Sequence, residues 1–193
     1  MKKTILTIAG VAILSLCAFS QAQFALGLKG GLNFAKFDAT DVSGSLKNKT
    51  GFNGGAFALI KLTKIGIQPE LLFSQQGSKF EFDGNNIDNN FDYINIPVIL
   101  KLYTVAGINI QAGPQFGFLT RAEIDGSNVK DSFKGSDLSL ALGMGWDLPF
   151  GLTFDARYNL GLTKIDESDP GFDAVKNQVI QLSVGYKIFK FGK

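Results

Sequence analysis

Residues 138–148, LSLALGMGWDL, place Leu138, Leu140, Leu142, Met144, Trp146 and Leu148 on one face and Ser139, Ala141, Gly143, Gly145 and Asp147 on the other. A period of two marks a β-strand with two unlike faces, because successive side chains leave opposite sides of the pleat. Similar segments recur about eight times along the chain. In residues 25–35, Leu26, Leu28, Leu32 and Phe34 oppose Gly27, Lys29, Gly31 and Asn33. In residues 65–77, Ile65, Ile67, Leu71 and Phe73 oppose Gln68, Glu70, Ser74 and Gln76. Residues 91–103 set Ile94, Ile96, Val98, Leu100 and Leu102 against Tyr93, Asn95, Ile99 and Lys101. Residues 108–121 set Ile108, Ile110, Ala112, Phe116 and Phe118 against Asn109, Gln111, Gln115 and Arg121. Residues 150–162 and 178–191 continue the pattern, with Thr153, Asp155, Arg157 and Asn159 on the polar row of the first and Gln181, Ser183, Gly185 and Lys187 on that of the second. Only residues 51–62 are ambiguous, since Phe57 and Leu59 share a row with Asn53 and Lys61.

The connections are of two kinds. Residues 36–50, 78–90, 122–135 and 163–177 are long and rich in Asp, Asn, Ser and Gly, whereas Thr63-Lys64, residues 104–107 and the turn at Pro149 are short. Outer-membrane barrels have this asymmetry, with short periplasmic turns and longer external loops. Lipid offers no hydrogen bonds to a strand edge, so a sheet that spans it must close and must be apolar at every second outward position. The expected fold is all-β: a closed eight-stranded antiparallel up-and-down transmembrane β-barrel with four long external loops and short periplasmic turns. A barrel of that size has its interior filled by side chains. Pro69, Pro97 and Pro114 lie inside three of the segments. A closed barrel has no free edge to absorb a missing N–H, so each is expected to mark a bulge or a kink.

Lys2 and Lys3 precede an apolar run over residues 5–19 and then Ser20-Gln21-Ala22. This is the pattern of a secretory signal peptide, residues 1–22, followed by a single barrel domain, residues 23–193. The run is shorter than the roughly 18 residues a membrane-spanning helix needs. Cleavage removes Cys17, the one cysteine, and leaves 17 basic against 17 acidic residues. A neutral chain without a basic stripe is not expected to bind nucleic acid.

The chain contains no histidine. That removes the usual general base and the commonest metal ligand, so no enzyme activity, no metal and no cofactor are expected. Asp83-Gly84-Asn85-Asn86 and Asp166-Glu167-Ser168-Asp169 do not fit the calcium-loop spacing. Gly27-Leu28-Lys29-Gly30-Gly31 opens no helix and is not a phosphate loop.

The site-like group is the inward row of charges: Lys29, Lys61, Glu70, Lys101, Asp147, Asp155, Arg157 and Lys187. An Arg or Lys facing lipid at mid-depth costs about 2–4 kcal/mol, so these residues should point into the barrel. Once there they must pair, since an isolated buried charge is costly. Glu70 and Asp155 are expected to face Lys29 and Arg157. Trp146, Tyr158 and Tyr186 sit on apolar rows near the segment ends, where interfacial aromatics belong.

Across residues 25–193 the chain resembles the PorT-like outer-membrane β-barrel family. The phrases GLKGGLNF (27–34), QPELLFS (68–74), YINIPV (93–98), GPQFG (113–117) and GYK (185–187) carry that resemblance. It implies a family that tolerates strand prolines, with one member linked to protein secretion. The chain departs from barrels that end on an aromatic residue, and Phe189, Phe191 or Tyr186 is expected to serve the assembly machinery instead.

The expected function is a non-enzymatic integral protein of the cell outer membrane, a structural or interaction platform with a mostly plugged polar lumen. Its expected partners are outer-membrane lipid, the barrel-assembly machinery during biogenesis, and proteins that engage the external loops. Two alternatives follow from the same residues, a narrow channel for ions or small solutes and a soluble lipocalin-like carrier with its apolar rows turned inward, and the resemblance implies a third, a secretion-system accessory barrel.

Overall fold

The computed structural model describes residues 22–37, 45–82, 85–124, 127–128, 135–162 and 177–192. The expected signal peptide lies outside them apart from Ala22, as do parts of all four long polar stretches. The strands are β1 (Ala22–Phe37), β2 (Ser45–Leu62), β3 (Ile65–Phe82), β4 (Asn85–Tyr103), β5 (Ile108–Ile124), β6 (Ser127–Asn128), β7 (Ser136–Asp147), β8 (Leu152–Gly161) and β9 (Asn177–Phe191). All adjacent pairs are antiparallel, in the order β4-β3-β2-β1-β9-β8-β7-β5, and β4 also pairs with β5. The sheet is therefore a closed barrel of eight staves. The two-residue β6 only extends the end of β5. First and last staves meet along β1 and β9, from Phe24↔Phe191 to Phe37↔Asn177.

Alternation decides which face meets lipid. Leu28, Ile110, Leu142, Met144, Leu182 and Val184 are exposed outside, whereas Lys29, Gln111, Asp155, Arg157 and Ser183 are buried inside. An outward apolar face and an inward polar one are what a barrel in lipid requires. They also overturn the soluble-carrier alternative, whose apolar rows had to face inward. In β2 the ambiguity is settled by burial: Phe57 and Leu59 face the lumen at 4% and 0% exposure.

At the opposite end from the short turns, the ladders run further than the alternation shows. Residues 78–82 and 85–90, read from sequence as loop, remain paired from Ser78↔Asn89 to Phe82↔Asn85. A hydrophobic period reveals a strand only where its two faces meet unlike surroundings.

The prolines do not bulge the wall. Pro69 pairs with Val98 of β4 while its pairing toward β2 lapses, between Phe57↔Glu70 and Ile60↔Ile67. Pro97 keeps its place opposite Gln115 and interrupts the β3 side. Pro114 keeps its place opposite Leu140 and interrupts the β4 side. Each proline thus directs its ring nitrogen at the preceding strand, and the register resumes unchanged beyond each gap. The register shifts fall elsewhere, at Leu26/Gly27, Asn48/Asn53 and Asp92/Tyr93.

Candidate functional site: a charged plug in the barrel lumen

The middle of the lumen is held by four charges from three strands. Arg157 on β8 donates to both carboxylate oxygens of Glu70 on β3, at 2.8 and 2.7 Å. Lys29 on β1 donates to Asp155 Oδ2 on β8 at 2.7 Å and lies 3.4 Å from Glu70. The two strands that supply the central pair stand on opposite sides of the ring, so the pair crosses the lumen. Amides complete the coordination: Gln111 accepts from Arg157 Nε at 2.7 Å and donates to Asp155 Oδ1 at 2.6 Å, while Gln68 donates to Glu70 at 2.6 Å. Burial inside a low-dielectric wall makes an unpaired charge costly, and here every carboxylate oxygen of Glu70 and Asp155 accepts. The side chains of Lys29, Glu70 and Lys101 are 0% exposed.

A second cluster lies toward the short-turn end. Asp147 accepts from Lys101 at 3.2 Å and Asn109 at 3.4 Å on one oxygen, and from Tyr103 and Lys187 at 2.8 Å each on the other. Lys101 also reaches Asp155 at 3.4 Å, which joins the two clusters. The turn before β5 positions Asp147: its N–H donates to the Gly107 carbonyl at 3.0 Å. Gly107 has φ +82°, and a Cβ there would lie 2.0 Å from the Asp147 carbonyl oxygen. Only glycine permits that approach.

Small residues on the inner face make room for the long ones. A Cβ on Gly145 would meet Gln111 Nε2 at 2.2 Å and Asp155 Oδ1 at 2.8 Å. One on Gly143 would meet Arg157 Cγ at 2.9 Å, and one on Gly27 would meet the Phe57 ring at 2.4 Å. On the arc formed by β2 to β4, four apolar residues, Phe57, Leu59, Leu72 and Ile99, are buried among the polar ones. Nearer the external end the lumen is filled mainly by hydrogen-bonded uncharged side chains, with the Asp137 carboxylate among them. Asn53 donates to Asn33 at 2.9 Å, Asn33 to Ser74 at 2.9 Å, and Ser183 to Asn53 at 3.1 Å. A cavity of about 10 Å³, room for about one water, lies among Asn95, Gln115, Asp137, Ser139 and Asn159.

Of the eight charges read from sequence, Lys29, Glu70, Lys101, Asp147, Asp155, Arg157 and Lys187 lie in this linked network. Lys61 lies apart from it, half-buried, with its ammonium 3.9 Å from the Tyr103 ring centroid. Tyr103 and Gln111 also belong to the network, from uncharged positions on the inward row that sign and charge do not single out. Arg121 is a correction. The sequence places it inside, but it is exposed and paired with Glu123 at 2.6 Å. The bulge at Asp92/Tyr93 inserts one residue between Leu119 and Arg121 and reverses the alternation there.

Outside the barrel, Trp146 donates its indole N–H to the Ala106 carbonyl at 3.0 Å beside a short turn, and its ring stands 6.5 Å from that of Phe154. Tyr186 is exposed near the same end. Tyr158 is bonded to Gln178 and stands toward the other end.

A family model described as outer membrane protein beta-barrel domain matches residues 19–167. No curated protein matches the chain. Among solved structures, the barrel is similar to Neisserial surface protein A, at 15% identity and a TM-score of 0.54, covering 84% of this chain and 97% of that one. It is also similar to Ail, the attachment invasion locus protein of Yersinia pestis, at 19% identity and a TM-score of 0.50, covering 89% of this chain and 99% of that one. At such identities the likeness concerns the fold. With the family match spanning most of the chain and the apolar rows outermost, the protein is an integral β-barrel of the outer membrane and belongs to the outer membrane protein beta-barrel domain family.

Proposed function

We propose that this barrel works sealed, as a non-enzymatic anchor that displays its external connections at the cell surface and offers them to protein partners. The observation that carries the reading is the central ion network: the side chains of Arg157 and Glu70 are 1% and 0% exposed where they meet across the lumen. The lack of histidine supports a role without chemistry. Its remaining partners on this reading are the lipid around the apolar rows and the machinery that assembles barrels. A narrow channel would use the same residues, with the Glu70–Arg157 pair as a gate that opens. The finer kinship to PorT-like barrels rests on the strand phrases at 68–74, 93–98 and 113–117, and would make the platform an accessory to protein secretion.

Reconstituted liposomes test the sealed reading. Vesicles carrying the purified protein should swell in a small-sugar gradient no faster than protein-free vesicles. Swelling that rises with the amount of protein would favour the channel.

A further inference from the structure

The charges inside the barrel do not balance, and the surplus lies at one end. Lys29, Lys61, Lys101, Arg157 and Lys187 face the lumen against Glu70, Asp147 and Asp155, and a fourth acid, Asp137, stands apart toward the external end. The central four neutralise one another, so the imbalance falls on the periplasmic mouth, where Lys61, Lys101 and Lys187 share Asp147. Both oxygens of that carboxylate are already taken, by Lys101 and Asn109 on one and by Tyr103 and Lys187 on the other. Lys61 has no carboxylate within ion-pair distance among the described residues. It rests on the face of Tyr103, the residue whose hydroxyl holds Asp147. Lys187, Lys190 and Lys101 all stand close enough to repel its ammonium, and among the described residues Asp147 is the acid that attracts it. Lys190 is exposed at the rim, and Ala25, its partner on β1, is buried within the mouth.

Like charges are not gathered at a half-buried position without cost, and an anion between them offsets that cost through charge-assisted hydrogen bonds. We propose that the periplasmic mouth of the barrel is a binding site for a small phosphate-type oxyanion, held by the ammonium groups of Lys61 and Lys187 with Lys190 at the rim. Tyr103 orients Lys61 from below. The site is independent of whether the lumen conducts. The oxyanion is either free in the periplasm or the headgroup of an anionic lipid in the inner leaflet.

The test uses the full mature chain folded in octyl glucoside micelles, which carry no phosphate, and follows the backbone amide signals of Lys61, Tyr103 and Lys187 by NMR. Inorganic phosphate added at constant ionic strength should shift all three saturably, with chloride alone producing no saturable shift. Lys61→Met should weaken the apparent affinity about tenfold, as expected for one lost charge-assisted contact, and Lys61→Arg should keep most of it. Lys61 lies outside the ion-pair network, so the barrel should fold in both variants, which a heat-modifiable gel band checks. A second arm compares nanodiscs of phosphatidylcholine with nanodiscs containing phosphatidylglycerol. If free phosphate is silent but phosphatidylglycerol shifts the same three signals in the wild type and not in Lys61→Met, the oxyanion is a lipid headgroup. If neither probe moves them, or if Lys61→Met responds like the wild type, the site does not exist.

Discussion

Arg157 and Glu70 meet as a two-pronged pair across the lumen, at 2.8 and 2.7 Å, from strands on opposite sides of the ring. Lys29 and Asp155 form the companion pair at 2.7 Å. Each pair is neutral as a unit, and the geometry makes the two partners of each pair mutually dependent.

Single and double substitutions at the central pair should therefore diverge. Glu70→Met or Arg157→Met alone leaves a buried charge without its partner and should destabilise the barrel by about 3–5 kcal/mol. The double variant Glu70→Met/Arg157→Met removes both charges, leaves the Lys29–Asp155 pair intact, and should recover most of that loss. Urea unfolding in detergent, read by heat-modifiable migration, gives the coupling energy. Additive losses would show that the two side chains do not act as a unit.

The outward rows are tested by charge. Leu182→Arg and Leu142→Arg, both on exposed apolar positions, should cost about 2–4 kcal/mol each if these sites lie near the bilayer midplane. Folding yield into phosphatidylcholine vesicles should fall accordingly. Ser183→Asn, on the inner face next to Leu182, should fold far better than Leu182→Arg, and equal yields would contradict the assignment of faces.

The inner glycines are tested by size. Gly145→Ala would force a methyl against Gln111 and Asp155 and should destabilise by about 1–3 kcal/mol. Gly135→Ala, where nothing lies within 4 Å, should leave the unfolding midpoint almost unchanged. Similar midpoints for the two would show that the lumen is loosely packed.

Much of this wall was legible because lipid imposes so narrow a rule. An Asp155 or Arg157 between outward apolar neighbours has only one side to face, and the partnership of Glu70 and Asp155 with Arg157 and Lys29 follows from sign and from the need to neutralise buried charge. What depends on register was not legible. Arg121 changes sides because of one extra residue in β5, and nothing in its own neighbourhood announces the bulge. Phe57 reads as a misplaced apolar residue until pairing sets it opposite Gly27, whose missing side chain is the space its ring fills. The prolines depart from the expected bulges for a related reason. A proline withholds one donor on one side only, so Pro97 interrupts pairing with β3 while its pairing with β5 persists. Tyr103 and Gln111 carry no formal charge, so nothing in the sequence marks them as partners of the plug's carboxylates, to which both donate.

The sealed lumen is tested most directly by planar-bilayer recording of two purified proteins side by side. The wild type should give no discrete conductance steps, and Glu70→Ser/Arg157→Ser, which removes the crossing pair without refilling its space, should give them. Discrete steps in the wild type that persist unchanged in the double variant would contradict a lumen closed by Glu70 and Arg157.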